Sequence, residues 1–189
     1  MGFDGKILSM DIASVSGWAC GLVHEVPRSG SHDARAKDGD TGDLFLSFGT
    51  FAQDIVKAER PGLIAFEEPI PPSFLGKNTN PRTTAILYGL PAILELVAKR
   101  YGIPIRQINI SRIRKHFVPE MKLEKKLKGD AKKREISRHV IAKCRELGWA
   151  PASGDEADAL AVWSCARSYL NPKYAIETVA LPLEMPGVA

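Results

Sequence analysis

The sequence predicts an α/β fold, in which short buried strands alternate with amphipathic helices. Two apolar runs, 7–10 and 63–66, and the segment 103–110 are typical of strands inside a sheet. The segments 44–59 and 83–100 lie between them and repeat apolar residues along one helical face. With 189 residues, of which 44% are hydrophobic, the chain is long enough for one well-buried domain and too short for two ordinary ones.

The chain opens with a predicted β-hairpin. The run 7–10 leads into Asp11, a small-residue turn at 13–17 and a second strand that carries Trp18. Strand signal is weak at 29–36, where a third strand is expected at the sheet edge. Asp43 is the expected N-cap of the helix at 44–59.

The second half of the chain is predicted to be mainly helical. Pro91 should kink or interrupt the helix at 83–100. After the strand at 103–110 comes a polar run, 111–128, and then a helix from an N-cap at Asp130 to about Leu147. A last helix begins near Gly154. We expect 1–170 to form one domain, followed by a tail at 171–189 that is either flexible or packed on a partner.

Acidic residues occur where strands end and where the last helix begins. Asp11 and Glu67 each follow a buried strand, and parallel neighbouring strands would bring them to one edge of the sheet. Asp155 and Asp158 are three residues apart, so they share a helical face. Each acid alone has an ordinary explanation as a turn residue or as a helix-stabilising residue in a first turn.

Positive charge is concentrated in one segment. Between Arg106 and Arg138 there are twelve Lys and Arg side chains against four Asp and Glu, whereas the whole chain has a net charge of +4. A basic segment on a mildly acidic body indicates a polyanionic partner, most simply nucleic acid. A solvated charged surface explains the charge alone equally well.

Other features exclude several classes of protein. The three cysteines, Cys20, Cys144 and Cys165, have no metal-ligand spacing and no disulfide pattern. No apolar run of about 18 residues and no signal-peptide pattern is present, so we expect a cytoplasmic protein of a bacterial or phage-infected cell, without membrane contact.

If Asp11, Glu67, Asp155 and Asp158 converge, their repulsion would raise their pKa values unless divalent cations neutralised them. Oxygen ligands favour Mg²⁺, with Mn²⁺ as a substitute, over Zn²⁺. Two such ions about 3.5–4 Å apart can activate water and stabilise the leaving oxygen in phosphodiester hydrolysis. Together with the basic segment, the acids predict a metal-dependent nuclease.

The same residues carry a family resemblance. The segments ILSMDIASVSGWACG, LIAFEEP, FLGKN, GDAKK and DEADALAVW, in this order, resemble the RuvC-type Holliday-junction resolvases of the RNase H-like superfamily. The resemblance covers most of 6–170. It implies an RNase H-like fold, with a mixed five-stranded sheet flanked by helices, and a homodimer that cuts opposed strands of a four-way DNA junction.

The resemblance also implies roles for individual residues. Asp11, Glu67, Asp155 and Asp158 would bind the metal ions, and Lys133 would assist proton transfer or stabilise charge near the scissile phosphate. Phe74 would stack on a base of the opened junction. Arg114 or Lys115 would contact DNA. The full predicted DNA-binding set is Phe74, Lys77, Arg82, Arg112, Arg114, Lys115, Lys132 and Arg134.

The sequence departs from the family pattern in three places: a second acid at Glu68, a longer Pro-rich spacer before Phe74, and a longer Lys-rich stretch after Arg114. These differences favour a divergent member, of phage or mobile-element type, with a wider substrate range. Three alternatives remain. They are a nuclease for forks, flaps or RNA, an actin-like ATPase, for which the chain lacks length and a second phosphate loop, and a non-catalytic DNA-binding module.

Overall fold

The computed structural model describes residues 3–71, 80–121 and 126–175. Five strands and five helices follow one another in these parts of the chain: β1 (Lys6–Asp11), β2 (Val15–Leu22), β3 (Arg28–Asp33), α1 (Thr41–Glu59), β4 (Leu63–Glu67), α2 (Pro81–Arg100), β5 (Ile105–Ile108), α3 (Ile110–Phe117), α4 (Gly129–Glu146) and α5 (Gly154–Leu170). A 3-10 helix, Pro172–Tyr174, follows α5.

The strands form one mixed sheet in the order β3-β2-β1-β4-β5. The hairpin strands β1 and β2 are antiparallel, as are β2 and β3. In contrast, β1 pairs with β4 and β4 pairs with β5 in parallel. The predicted mixed five-stranded sheet flanked by helices is therefore confirmed.

Side-chain alternation along the strands divides the core into two layers. Leu8, Met10 and Phe66 face one side of the sheet, where they pack against α1 and α2. Ile7 and Ala65 face the other side, which α3, α4 and α5 cover. The sheet is thus buried between two helical layers, as expected for parallel strands.

Helix α5 is attached directly to the central strand β1. The buried Ser9 hydroxyl donates a hydrogen bond to the Ala159 carbonyl at 2.8 Å. One turn further along α5, the Trp163 indole donates to the Ile7 carbonyl at 3.2 Å. These two bonds fix the position of α5 along β1, and they therefore also fix where the first turn of α5 lies.

Two predicted helix starts differ from the structure, and Pro91 does not interrupt its helix. Asp40, rather than Asp43, caps α1, since its carboxylate accepts from the Asp43 amide. Lys128, rather than Asp130, precedes α4. Helix α2 continues through the buried Pro91, because packing rather than local propensity supplies most helix stability in proteins.

The polar run at 111–128 contains a helix that the sequence analysis did not predict. Asn109 caps α3 by accepting from the Ser111 amide at 2.9 Å, and Ile113 and Phe117 point into the core four residues apart. An Asn N-cap followed by this apolar spacing is the signal that identifies such a short helix.

The predicted tail begins with ordered contacts. Within 171–175, the Tyr174 ring stacks on the Arg167 guanidinium of α5 at 4.8 Å. The rest of the tail, and the expected single domain at 1–170 as a unit, remain predictions. Among the described helices, none has the length and apolar character needed to cross a lipid bilayer.

Candidate active site

Strands β1 and β4 bring the first two acids to the same edge of the sheet. Met10 pairs with Phe66, so Asp11 and Glu67 are the next residues along two adjacent parallel strands. Both occupy the odd positions that face α5, in phase with Ile7 and Ala65. The two side chains are half-buried, so they are placed together on the face where α5 begins.

Helix α5 brings the other two acids to this edge. Asp11 pairs across β1 and β2 with Gly17, and a Cβ at Gly17 would lie 1.8 Å from the Asp155 carbonyl oxygen. The absence of a side chain at Gly17 therefore lets the start of α5 rest on the hairpin beside Asp11. Asp158 lies on the same side of α5, just before the Ser9–Ala159 bond.

The first turn of α5 is held by two side-chain bonds, similar to those of a capping box, that the sequence analysis missed. Ser153 accepts from the Glu156 amide at 3.2 Å, while the buried Glu156 carboxylate accepts from the Ala152 amide at 3.1 Å. Glu156 also accepts from the Ser29 hydroxyl of β3 at 3.3 Å. The Ser-x-x-Glu spacing at 153–156 is the signal that could have identified them. Gly17 offers no comparable signal.

The four carboxylates repel one another electrostatically. Burial raises the pKa of Asp11 well above its usual range, and the charges of Asp158, Glu67 and Asp155 raise it further. Burial raises the pKa of Glu67 to about 7 and that of Asp158 to about 6. Such shifts mark a carboxylate cluster that its own protein leaves short of positive charge.

Arg114 of α3 is the cation that acts on this cluster most directly. Its charge lowers the pKa of both Glu67 and Asp158, which partly offsets the effect of burial. Arg114 is half-buried, whereas the neighbouring Lys115 is exposed. Between the two candidates that the sequence left open, Arg114 is therefore the one beside the acids.

Lys133 lies on the first part of α4, close to the start of α5. A Cβ at Gly154 would lie 2.7 Å from the Ser137 hydroxyl, so Ser137 faces the residue that precedes Asp155. Lys133 is one helical turn before Ser137 on the same face of α4. Its side chain is exposed, as are those of Lys132 and Arg134.

The other predicted DNA-binding residues lie in different surroundings. Arg82 donates to the Gly39 carbonyl, which links the start of α2 to the segment before α1. Arg112 lies near Tyr169 of α5, and its charge partly offsets the rise that burial causes in the pKa of Tyr169. Phe74 and Lys77 fall outside the described residues. The structure thus places Arg114 beside the acids, Lys133 on the helix that packs against the start of α5, and Arg82 and Arg112 with other partners.

The donor set has the chemistry of a site for a divalent cation, because it consists of carboxylate oxygens that repel one another. Their spacing is wider than ligation requires. Among the residues with described positions, no three Asp, Glu, His or Cys side chains lie close enough to hold one metal ion as they stand. The four acids therefore fit a divalent-cation site in the chemistry of their ligand atoms and in their common location, but not in their present spacing.

The arrangement of sheet and helices is that of the RNase H-like class of folds. No family model matches the sequence, and no curated protein does. The structure is similar to Thermus thermophilus RuvC in complex with a Holliday junction substrate, with a TM-score of 0.65 and 14% identity over 90% of this chain and 97% of that chain.

Two further solved structures are similar. Thermus thermophilus RuvC has a TM-score of 0.63 and 15% identity, covering 90% of this chain and 98% of its own. The yeast mitochondrial Holliday junction resolvase has a TM-score of 0.54 and 14% identity, covering 90% and 80%. At this level of identity the likeness establishes a shared RuvC-like fold.

Proposed function

We propose that this protein is a metal-dependent endonuclease that resolves four-way DNA junctions by phosphodiester hydrolysis. The observation that carries the proposal is the cluster of half-buried, mutually repelling carboxylates at one sheet edge of a RuvC-like fold. The comparison structures support the substrate, since one of them is a complex with a Holliday junction. The expected place of action is the cytoplasm.

Asp11, Glu67, Asp155 and Asp158 would hold two Mg²⁺ ions, for which Mn²⁺ would substitute. When bound, these ions would lower the pKa of a water and stabilise the leaving oxygen of the cut strand. Arg114 would balance negative charge beside Glu67 and Asp158 and hold a phosphate oxygen. Lys133 would deliver positive charge, or a proton, next to the scissile phosphate.

The DNA backbone would lie along the basic residues around this edge. Lys132 and Arg134 extend the positive surface from Lys133, and Phe74 would stack on an unpaired base at the junction centre. Cutting two opposed strands requires two active sites, so we propose a homodimer. Leu46 of α1 and Leu96 of α2, each 69% exposed, are candidate contacts for the second copy.

The test is cleavage of a synthetic four-way junction beside fork, flap and linear duplexes of the same sequence. Each substrate is incubated with Mg²⁺, with Mn²⁺ or with EDTA, and the cut positions are mapped on both strands. We expect paired symmetric nicks on the junction, which EDTA abolishes. Light scattering of the protein–junction complex should give two protein chains per junction.

The same panel separates the alternatives. Equal cutting of forks and flaps would retain the chemistry but assign a broader role in branched-DNA processing. An RNA–DNA hybrid added to the panel tests the third possibility, since cutting of its RNA strand alone would assign an RNA-directed nuclease. Binding to the junction without cleavage in either metal would contradict the enzymatic proposal and leave a DNA-binding module.

A further inference from the structure

The second acid after β4, Glu68, contacts the start of helix α3. Its carboxylate accepts a hydrogen bond from the Asn109 side-chain amide at 3.1 Å. Its own backbone amide donates to the Ile108 carbonyl at 2.9 Å, one step beyond the last β4–β5 pair, Glu67 with Ile108. Glu68 therefore binds the β5–α3 junction through both its side chain and its backbone.

Asn109 is the residue that starts α3. Its side-chain oxygen accepts from the Ser111 amide at 2.9 Å, while its amide nitrogen donates to Glu68. One side chain thus caps the helix and attaches it to β4. Because α3 has only eight residues, a small rotation of its first turn would displace the whole helix.

Helix α3 carries Arg114, whose charge acts on Glu67 and Asp158. The neighbouring acids of β4 therefore have different tasks. Glu67 faces α5 within the carboxylate cluster, whereas Glu68 is exposed and holds the helix that supplies the balancing cation. Successive side chains of an extended chain point to opposite sides, so neighbouring residues at the end of β4 can have different roles.

We infer that Glu68 is a positioning residue for the carboxylate site: its bond to Asn109 sets where α3, and with it Arg114, stands beside the acids. The inference rests on the proposed nuclease function for its effect on cleavage, and on the Glu68–Asn109 contact for its effect on α3. The bond also accounts for the second acid that departs from the family pattern.

The experiment compares four variants with the wild-type protein: Glu68→Ala, Glu68→Gln, Asn109→Asp, and the double variant Glu68→Gln with Asn109→Asp. Glu68→Gln keeps an acceptor for Asn109. Asn109→Asp keeps the helix cap but replaces the donor with a second carboxylate facing Glu68. The double variant restores the bond with donor and acceptor exchanged.

The rate of junction cleavage should depend on whether the hydrogen bond between residues 68 and 109 is present, and not on the charge of these residues. We expect kcat to fall about tenfold in Glu68→Ala and in Asn109→Asp, with KM within about twofold, since misplacing a group near the chemistry can cost up to about 100-fold. Glu68→Gln and the double variant should cleave within about twofold of wild type. Hydrogen exchange of α3 should speed up in the first two variants alone.

Glu95→Ala is the matched control. The Glu95 carboxylate accepts from the Gln107 side-chain amide at 2.8 Å, which is the same kind of exposed bond two residues before Asn109, but it ties β5 to α2. We expect this variant to cleave at the wild-type rate. A similar loss in Glu95→Ala would show a general effect of loosening β5 and would overturn the inference.

Two outcomes separate failure of the inference from failure of the proposed function. If the wild-type protein cleaves and Glu68→Ala cleaves as fast, Glu68 does not position the site, whatever happens to exchange. If the wild-type protein cuts no substrate, the proposed function fails. In that case hydrogen exchange still tests the inference: unchanged exchange of α3 in Glu68→Ala and Asn109→Asp would show that the Glu68–Asn109 bond does not position α3.

Discussion

Carboxylates at the two ends of β1 have opposite electrostatic surroundings. At the start of β1, Glu59 is 9% exposed and accepts hydrogen bonds from Lys6 and Arg28, both at 2.9 Å. At the other end of β1, Asp11 meets three further acids, whose charges raise its pKa. The first end is neutralised by the chain's own cations, whereas the second keeps an excess of negative charge, which is where the proposed metal ions would bind.

This difference separates a structural acid from a functional one. A buried carboxylate with two cationic partners stabilises the native state or is nearly neutral. A buried cluster of like charges costs stability, and such a cost is typical of active sites. Substitutions at the two ends should therefore change stability in opposite directions.

The largest effect is expected from Asp11→Asn. Cleavage should fall by at least about 1,000-fold, because a ligand of the proposed metal site is lost, while junction affinity should stay within about twofold. The Tm of the metal-free protein should rise by a few degrees, since one repelling charge is gone. Gel-shift, cleavage and thermal melting in EDTA measure the three quantities. A folded variant that no longer binds the junction would contradict the assignment.

Gly17→Ala should have the next largest effect. The new methyl group would clash with the Asp155 carbonyl, and such overpacking typically costs about 1–3 kcal/mol. It would also displace the start of α5, so cleavage should fall by about 100-fold. Gly21→Ala is the control. It lies on the same face of β2 but meets Pro27 at the other end, so it should lower Tm without slowing cleavage.

Glu59→Gln should act on stability alone. Loss of the two charge-assisted bonds should lower the free energy of unfolding by about 1–2 kcal/mol, as measured by urea denaturation. Cleavage should be unchanged, because Glu59 lies at the opposite end of β1 from Asp11. If Glu59→Gln instead raised stability, as we expect for Asp11→Asn, the proposed difference between the carboxylates at the two ends of β1 would be contradicted.

The smallest effect concerns pH. The pKa values of Asp11, Glu67 and Asp158 are raised in the folded state, which therefore binds more protons than the unfolded chain between about pH 4 and 7. These acids should make the metal-free protein less stable as pH rises through this window. Saturating Mg²⁺ should remove this loss, because it binds the deprotonated carboxylates.

One histidine has the opposite dependence. Burial, together with Arg167, lowers the pKa of His116 to about 4, so its contribution to stability is lost as pH falls below about 6.5. It contributes equally with and without metal. The quantity to measure is therefore the difference in Tm with and without Mg²⁺, which should increase from pH 5 to pH 8. A constant difference would mean that the cation binds elsewhere.

Local pattern predicted the elements that carry the acids. Strand ends at Asp11 and Glu67, and a helix beginning near Gly154, follow from apolar runs and from turn residues that act within a few positions. Helix α3 was missed because its eight residues are mostly polar and only Ile113 and Phe117 indicate a buried face. Short helices depend on tertiary packing, which a local pattern does not contain.

The contacts between distant parts of the chain could not be predicted from sequence. The sequence predicts Gly17 to be a turn residue. In the structure it lies within β2, where its lack of a side chain allows the backbone of Asp155 to approach closely. The separation of Arg114 from Lys115 depends on which side of α3 faces α5. Both facts follow from three-dimensional packing, and neither leaves a periodic signal.

The bonds between β1 and α5 have a consequence for synthesis on the ribosome. Ser9 and Ala159 are 150 residues apart, and Ile7 and Trp163 are 156 apart. Contacts of such sequence separation form late in folding. The first acid thus leaves the ribosome long before its partners on α5, and the nascent chain carries no complete carboxylate cluster until α5 has been translated and docked.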